Sequence, residues 1–214
     1  MTVTDQLKQA SSLEINQITT HPWLTAAAAG ALQAYQIGAW AAQDLLWGAW
    51  YGGVMTAARK EAPPLAQEAF SWLDANSDRE LGWLRDLAAS YPQPPGCDRI
   101  WPAFLGYAAW AQVIARRGPV QALTVAWACE DAYHEAWSMV RDTRPEQEWA
   151  RWAAAENWGS PGFTRMMAAM AAGLDASAAA GGVPVGELAE IARQTYAWEA
   201  MCWTDVYECR GWQR

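Results

Sequence analysis

Trp40, Asp44, Trp47 and Tyr51 recur at i, i+4, i+7 and i+11, the spacing of one helix face. The rest of that face is apolar, so it presses a carboxylate among aromatic rings, and an unpaired buried charge is expensive. Asp44 therefore needs a hydrogen-bond partner, a second titrating group or a ligand. A tyrosine or backbone donor would satisfy an Asp of purely structural role equally well. A second face sets Cys129 four residues before Tyr133, in a stripe that Val125, Ala126 and Trp137 extend. Alone, a mid-helix Cys is an inert small hydrophobe. A third face joins Tyr196, Glu199, Trp203 and Tyr207, again one acid among aromatics. Two carboxylates in apolar settings take different pKa values and divide acid and base work. The bland alternative for Glu199 is a side chain that reaches solvent at the edge of its stripe.

Metal chemistry finds less support. Only His21 and His134 are present, and the four cysteines (Cys97, Cys129, Cys202, Cys209) show no CxxC or His-rich spacing. Asp131-Ala132-Tyr133-His134 resembles half of a di-iron bundle site, but the second motif and its bridging glutamates are absent. His21, held before Pro22, is a poor haem ligand. The sequence predicts no metal and no cofactor, and reduced thiols that act as core fillers or reactive groups.

The elements that must position these faces are helices. Alanine-rich runs at residues 26–29, 153–155 and 178–180 favour helix, and β-branched residues rarely cluster. Thr4 or Asp5 would cap a first helix running to about residue 19, and His21-Pro22 forces an extended turn. A short helix over residues 22–29 ends at Gly30; a long one over 33–60 ends at Pro63-Pro64. Helices follow at 65–74 and 78–90, then a breaker-rich loop at 91–96. Pro102 opens a helix to residue 117, and others cover 120–141, 146–157, 161–174 and 184–209, the last after a flexible segment at 179–182. No strand-like alternation, repeat or dividing linker appears. The prediction is one all-α domain of eight or nine helices spanning residues 1–214. Such a chain buries roughly 70% of its unfolded surface and needs no disulfides. Its 16 tryptophans, against 3 phenylalanines and 7 tyrosines, belong mostly in the core or at subunit contacts.

A net charge of −8 argues against a nucleic-acid partner, which needs clustered Lys and Arg. Residues 22–43 carry no charge and nominally reach spanning length. They are mostly alanine interrupted by Gln33, Gln36, Gly30 and Gly38, so a buried helix pair, with no membrane partner, is the better account. The N-terminus lacks the basic and apolar regions of a signal peptide, which points to the cytoplasm.

Taken in order, these pieces resemble the TenA/thiaminase II family. His21-Pro22-Trp23, Gly30, Leu32 and Gln43-Asp44 are similar to its opening HPF…G-x-L…QD stretch. Pro102 and Tyr107 resemble its P-T-x-x-x-Y segment; Ala122-Leu123 with Cys129-x-x-x-Tyr133 resembles its cysteine helix. Ser160-Pro161-Gly162-Phe163 is similar to its S-x-x-F element, and Tyr196-x-x-Glu199-x-x-x-Trp203 to its terminal helix. The resemblance implies a haem-oxygenase-like helical bundle, a homotetramer, and hydrolysis of thiamin or thiamin-derived aminopyrimidines in thiamin salvage. It implies Cys129 as the nucleophile that adds to the ring. Asp44 would be the acid on the ring nitrogen and amino group, and Glu199 the general acid/base. Tyr107 and Tyr133 would position nucleophile and substrate, with Trp47, Trp158 and Trp203 against the ring.

Three departures bear on specificity. Trp47 stands where the family has Tyr or Phe, Trp158 where it has Tyr, and Cys202 where Phe is usual. An indole still stacks on a pyrimidine, but it lacks the hydroxyl that both donates and accepts. A non-catalytic protein that holds a flat heteroaromatic ligand in a Trp-rich pocket is the alternative expectation.

Overall fold

Thr2 opens the first helix: its hydroxyl accepts from the Asp5 amide at 3.1 Å while the Asp5 carboxylate accepts from the Thr2 amide at 2.9 Å. This reciprocal cap starts helix α1 (Val3–Ala10) ahead of the expected Thr4 or Asp5 cap. The structure, a computed structural model, describes residues 1–212. The expected first helix is in fact two, because Ser11 leaves helical geometry (φ −102°, ψ 12°) before α2 (Ser12–Thr19). His21 caps α3 (Pro22–Ala28), its Nδ1 accepting from the Trp23 amide at 3.1 Å, and Gly30 at φ 67° turns the chain toward α4 (Ala34–Arg59).

The pair of helices expected at 65–74 and 78–90 is one continuous α5 (Pro64–Ser90). The polar stretch between them does not break it. Asn76 donates to the Trp72 carbonyl at 2.7 Å and Ser77 to the Asp74 carbonyl at 3.0 Å, so these side chains bond within their own helix. Next come α6 (Pro102–Ala115), α7 (Pro119–Asp142) and the short α8 (Glu148–Arg151). A π-helical turn over Trp152–Asn157 completes the segment expected as an ordinary helix. Helix α9 (Pro161–Gly181) runs well past residue 174 through the alanines expected to be flexible, and Gly182 ends it at φ 64°. Alanine's helix propensity outweighs the missing apolar periodicity there. The last helix is α10 (Val185–Glu208). Among the described residues there is no strand.

Helix α7 lies at the centre, against α2, α3, α4, α6, α9 and α10. Residues 122–132 are all buried, the pattern of a helix enclosed on every side. The tryptophan excess is largely absorbed beside it. Trp40 sits amid Trp23, Trp83, Trp137, Trp149, Trp158 and Trp203 with ring centroids 5.2–6.4 Å away. The uncharged stretch 22–43 is divided between α3 and α4, and no described helix is long and apolar enough to cross a membrane.

Candidate active site

Helices α4, α5, α6, α7 and α10, with Trp158 from the segment after the π turn, enclose a cavity of about 90 Å³. One water needs only ~10–15 Å³, so this space admits a small flat molecule. Asp44, Cys129 and Glu199 all line it, from α4, α7 and α10, together with Trp47, Tyr107, Tyr133 and Trp158. The mouth falls between α4 and α5, whose lining residues Trp47, Tyr51, Glu80 and Leu81 are half-buried; Cys129, Glu130 and Glu199 form the buried floor.

The Cys129 thiol donates to Glu199 Oε1 at 3.5 Å, and the Tyr133 hydroxyl donates to Asp44 Oδ1 at 2.5 Å. Helix spacing explains both pairings: Cys129 and Tyr133 lie one turn apart, so each meets one acid. Trp47 stacks on Tyr51 with centroids 4.5 Å apart and lies 5.0 Å from Tyr107. Trp158 meets Tyr133 at 5.2 Å, and its carbonyl accepts from His134 Nδ1 at 2.8 Å. Because that carbonyl cannot donate, Nδ1 must carry the hydrogen. Trp203 does not line the cavity where a substrate contact is expected. It packs behind Tyr133 at 5.5 Å, within the tryptophan cluster. Two polar groups on the lining stay unpaired: the Tyr107 hydroxyl and Trp47 Nε1.

Burial dominates the electrostatics. It lifts the Asp44 pKa to about 7, opposed by the Tyr133 hydrogen bond and aided by the charge of Glu80. Burial lifts Glu199 to about 8, opposed by the Tyr107 hydroxyl, which faces it from beyond hydrogen-bond distance, and by the Cys129 thiol. Burial, then the charges of Glu199 and Glu130, hold the Cys129 thiol well above its ordinary value. At rest the nucleophile candidate is therefore a neutral thiol, and Glu199 takes its proton in the fraction of molecules in which that carboxyl is ionised. Glu130, 8% exposed, is pushed up to about 8 by burial and the charge of Glu80. Glu80 is raised too, by burial, although it accepts from Asn157 Nδ2 at 2.9 Å.

Glu80 and Glu130 are the lining residues the sequence reading missed. Glu130 lies three residues before Tyr133, a spacing that shares a helix flank; with His134 and Glu135 within the next five residues it does not stand out against apolar neighbours. Glu80 lay on a helix with no aromatic stripe to single it out. Tyr196 and Tyr207, grouped with Glu199 by periodicity, point elsewhere: Tyr196 donates to Asp131 at 2.7 Å, and Tyr207 is exposed. Among the described residues no three His, Cys, Asp or Glu side chains converge as metal ligands.

The sequence matches no protein-family model and no curated protein. Its fold does match solved structures. A TenA homologue from Pyrococcus furiosus superposes with a TM-score of 0.82 at 17% identity, covering 96% of this chain and 100% of that one. A TenA family transcription regulator from Silicibacter sp. gives 0.81 at 14% identity, covering 96% of each chain. A protein from Sulfolobus solfataricus described as a TenA-like thiaminase gives 0.79 at 14% identity, covering 99% and 98%. The chain is an all-α protein with the TenA fold from end to end.

Proposed function

We propose that this protein hydrolyses the C–N bond of an aminopyrimidine, thiamin or a thiamin-derived compound, in the manner of a thiaminase II. The observation that carries the reading is the Cys129 thiol on Glu199 at 3.5 Å, with Asp44 facing the same cavity. In this scheme Glu199 takes the thiol proton as Sγ bonds to an electron-poor ring carbon, and Asp44, neutral below about pH 7, gives its proton to the ring nitrogen. The ring then returns that proton to Asp44 and expels the leaving nitrogen from its exocyclic methylene. Glu199 returns the thiol's proton to an amine leaving group; a thiazolium leaves as neutral thiazole and needs none. Water adds to the methylene as the ring nitrogen again takes the Asp44 proton; the water's own proton passes to Glu199 after an amine has left, and to solvent after a thiazole has left. Departure of the sulfur then restores the aromatic ring, returning the ring proton to Asp44 and the Glu199 proton to Sγ. The rings of Trp47 and Trp158 supply stacking surface.

Cys129→Ala is expected to abolish turnover while fluorescence quenching by thiamin and its folding transition persist. The product assay runs thiamin, aminomethyl-pyrimidine and formylamino-pyrimidine in parallel, and wild-type turnover by the alanine variant would remove the mechanism. We extend the proposal to a cytoplasmic homotetramer in thiamin salvage, as the motif resemblance implies; a monomer mass by light scattering would refute the tetramer. One observation favours a second reading, a binding protein without turnover: the surrounding acids hold Cys129 as a thiol. Tight ligand quenching with no product by chromatography would select it.

A further inference from the structure

The proposed reaction uses two of the four carboxylates in the cavity. Glu80 and Glu130 remain, and no Lys, Arg or His lines the space to balance them. Glu130 is 8% exposed, and the one hydroxyl beside it, that of Tyr51, is shared with the Ala126 carbonyl, which accepts from it at 3.2 Å. The buried Tyr107 hydroxyl, 1% exposed, independently marks the cavity as built for a ligand, since a buried hydroxyl without a partner is costly. The walls beside these acids are aromatic, chiefly Trp47, Tyr51 and Trp158. Ring faces attract organic cations, and buried carboxylates attract them more strongly. Among the described residues the acids do not converge as metal ligands, and the aromatic walls suit an organic cation.

We propose that Glu130, with Glu80, forms a cation subsite that selects ligands carrying an ammonium or a heteroaromatic cation on the leaving-group side. This rests on the aminopyrimidine reading and narrows it: a positively charged leaving group is preferred over a neutral one of the same shape. Glu130 acts here on binding and specificity, not on the breaking bond, so its loss raises KM for charged substrates more than it lowers kcat.

The test is fluorescence titration in the Cys129→Ala background, where turnover does not intrude. The probes are aminomethyl-pyrimidine, which carries an ammonium, and its neutral counterpart hydroxymethyl-pyrimidine. The cation is expected to bind about tenfold tighter or more, the scale of one charge-assisted hydrogen bond. Glu130→Gln should erase that gap while leaving the Kd of the neutral probe within about twofold, as expected when only an interaction with charge is removed. Glu80→Gln, a second near-isosteric change, should narrow the gap should Glu130→Gln fail to fold. Equal binding of the two probes before mutation, or an unchanged gap after it, overturns the subsite and leaves the proposed reaction standing. If neither pyrimidine binds, the aminopyrimidine reading falls instead. N-methylpyridinium then tests the subsite alone, and no quenching by it overturns the subsite as well.

Discussion

The Tyr133 hydroxyl sets the balance on Asp44. Burial raises the acid to about pKa 7, and the hydrogen bond from Tyr133 holds it below where burial alone would put it. Turnover in this scheme needs neutral Asp44 together with ionised Glu199, and their values of about 7 and about 8 put the declining limb above about 8, so Asp44 is followed instead by its own carboxyl titration, in difference infrared spectra, with a midpoint at about 7. Tyr133→Phe removes a bond that favours the charged form, so Asp44 keeps its proton to higher pH. That midpoint should move up by about one pH unit, the equivalent of one such bond. A tyrosine that merely fills space would lower kcat without moving the midpoint, and a stationary midpoint would sink the assignment. At this scale periodicity singled out Asp44, Cys129 and Glu199, which line one cavity, because each stands out against apolar neighbours. It failed for Glu130, which looks from sequence like one more acid in a charged cluster. It also misled on Tyr196, whose hydroxyl leaves the shared face to meet Asp131.

Trp158 owes its place at the cavity to the element before it. The Trp152–Asn157 segment is π-helical, and the Trp158 amide donates to the Ala153 carbonyl at 3.0 Å, five residues back. Such a turn leaves no periodic mark, so the segment read as ordinary helix. Gly159 makes the turn possible. A Cβ there would lie 2.1 Å from the Ala154 carbonyl oxygen and 3.2 Å from that of Trp137, both backbone atoms that cannot step aside. Gly159→Ala is expected to lower the melting temperature by about 5 °C or more and to weaken ligand quenching, since Trp158 must shift with its neighbour. Gly52→Ala is the control: nothing lies within 4 Å of its Cβ position, and alanine suits a helix interior better. A Gly159 variant as stable as the Gly52 variant would show that the π turn is not held by this contact. Helix boundaries were legible where Pro or Gly marks them, as at Pro63-Pro64 and Gly30. They were misread at residues 75–77 and 175–181, where polar or alanine-rich runs carry no apolar period yet remain helical.

At the scale of the whole molecule, the fold was legible because five motif residues, Asp44, Tyr107, Cys129, Tyr133 and Glu199, line one cavity, while much of the remaining sequence is interchangeable; a TM-score of 0.82 persists at 17% identity. That cavity also shapes stability. Asp44 sits at about 7 and Glu130 and Glu199 at about 8, far above the ~4 of an unfolded carboxyl. The folded chain therefore binds more protons than the unfolded one across that interval, and its stability falls as pH rises through it. Glu80, raised by burial, adds in the same sense. His21 acts oppositely: burial lowers it to about 4, so its unfolded form binds the extra proton and stability rises until about pH 6.5. Above pH 6.5 the acids are joined by the cysteines, whose thiols burial raises, so that they add in the same sense as unfolded thiols begin to ionise near ~8.5. Calorimetry between pH 6.5 and 8.5 should show the melting temperature falling by about 10 °C, with the loss continuing above that window as unfolded thiols ionise. Glu130→Gln should melt higher than the unaltered protein at pH 8 and show a shallower decline, because it removes one of the charges that must be buried. A saturating organic cation should flatten the decline by pairing with the ionised acids, and a melting temperature that rises with pH across this window would contradict the burial of the set.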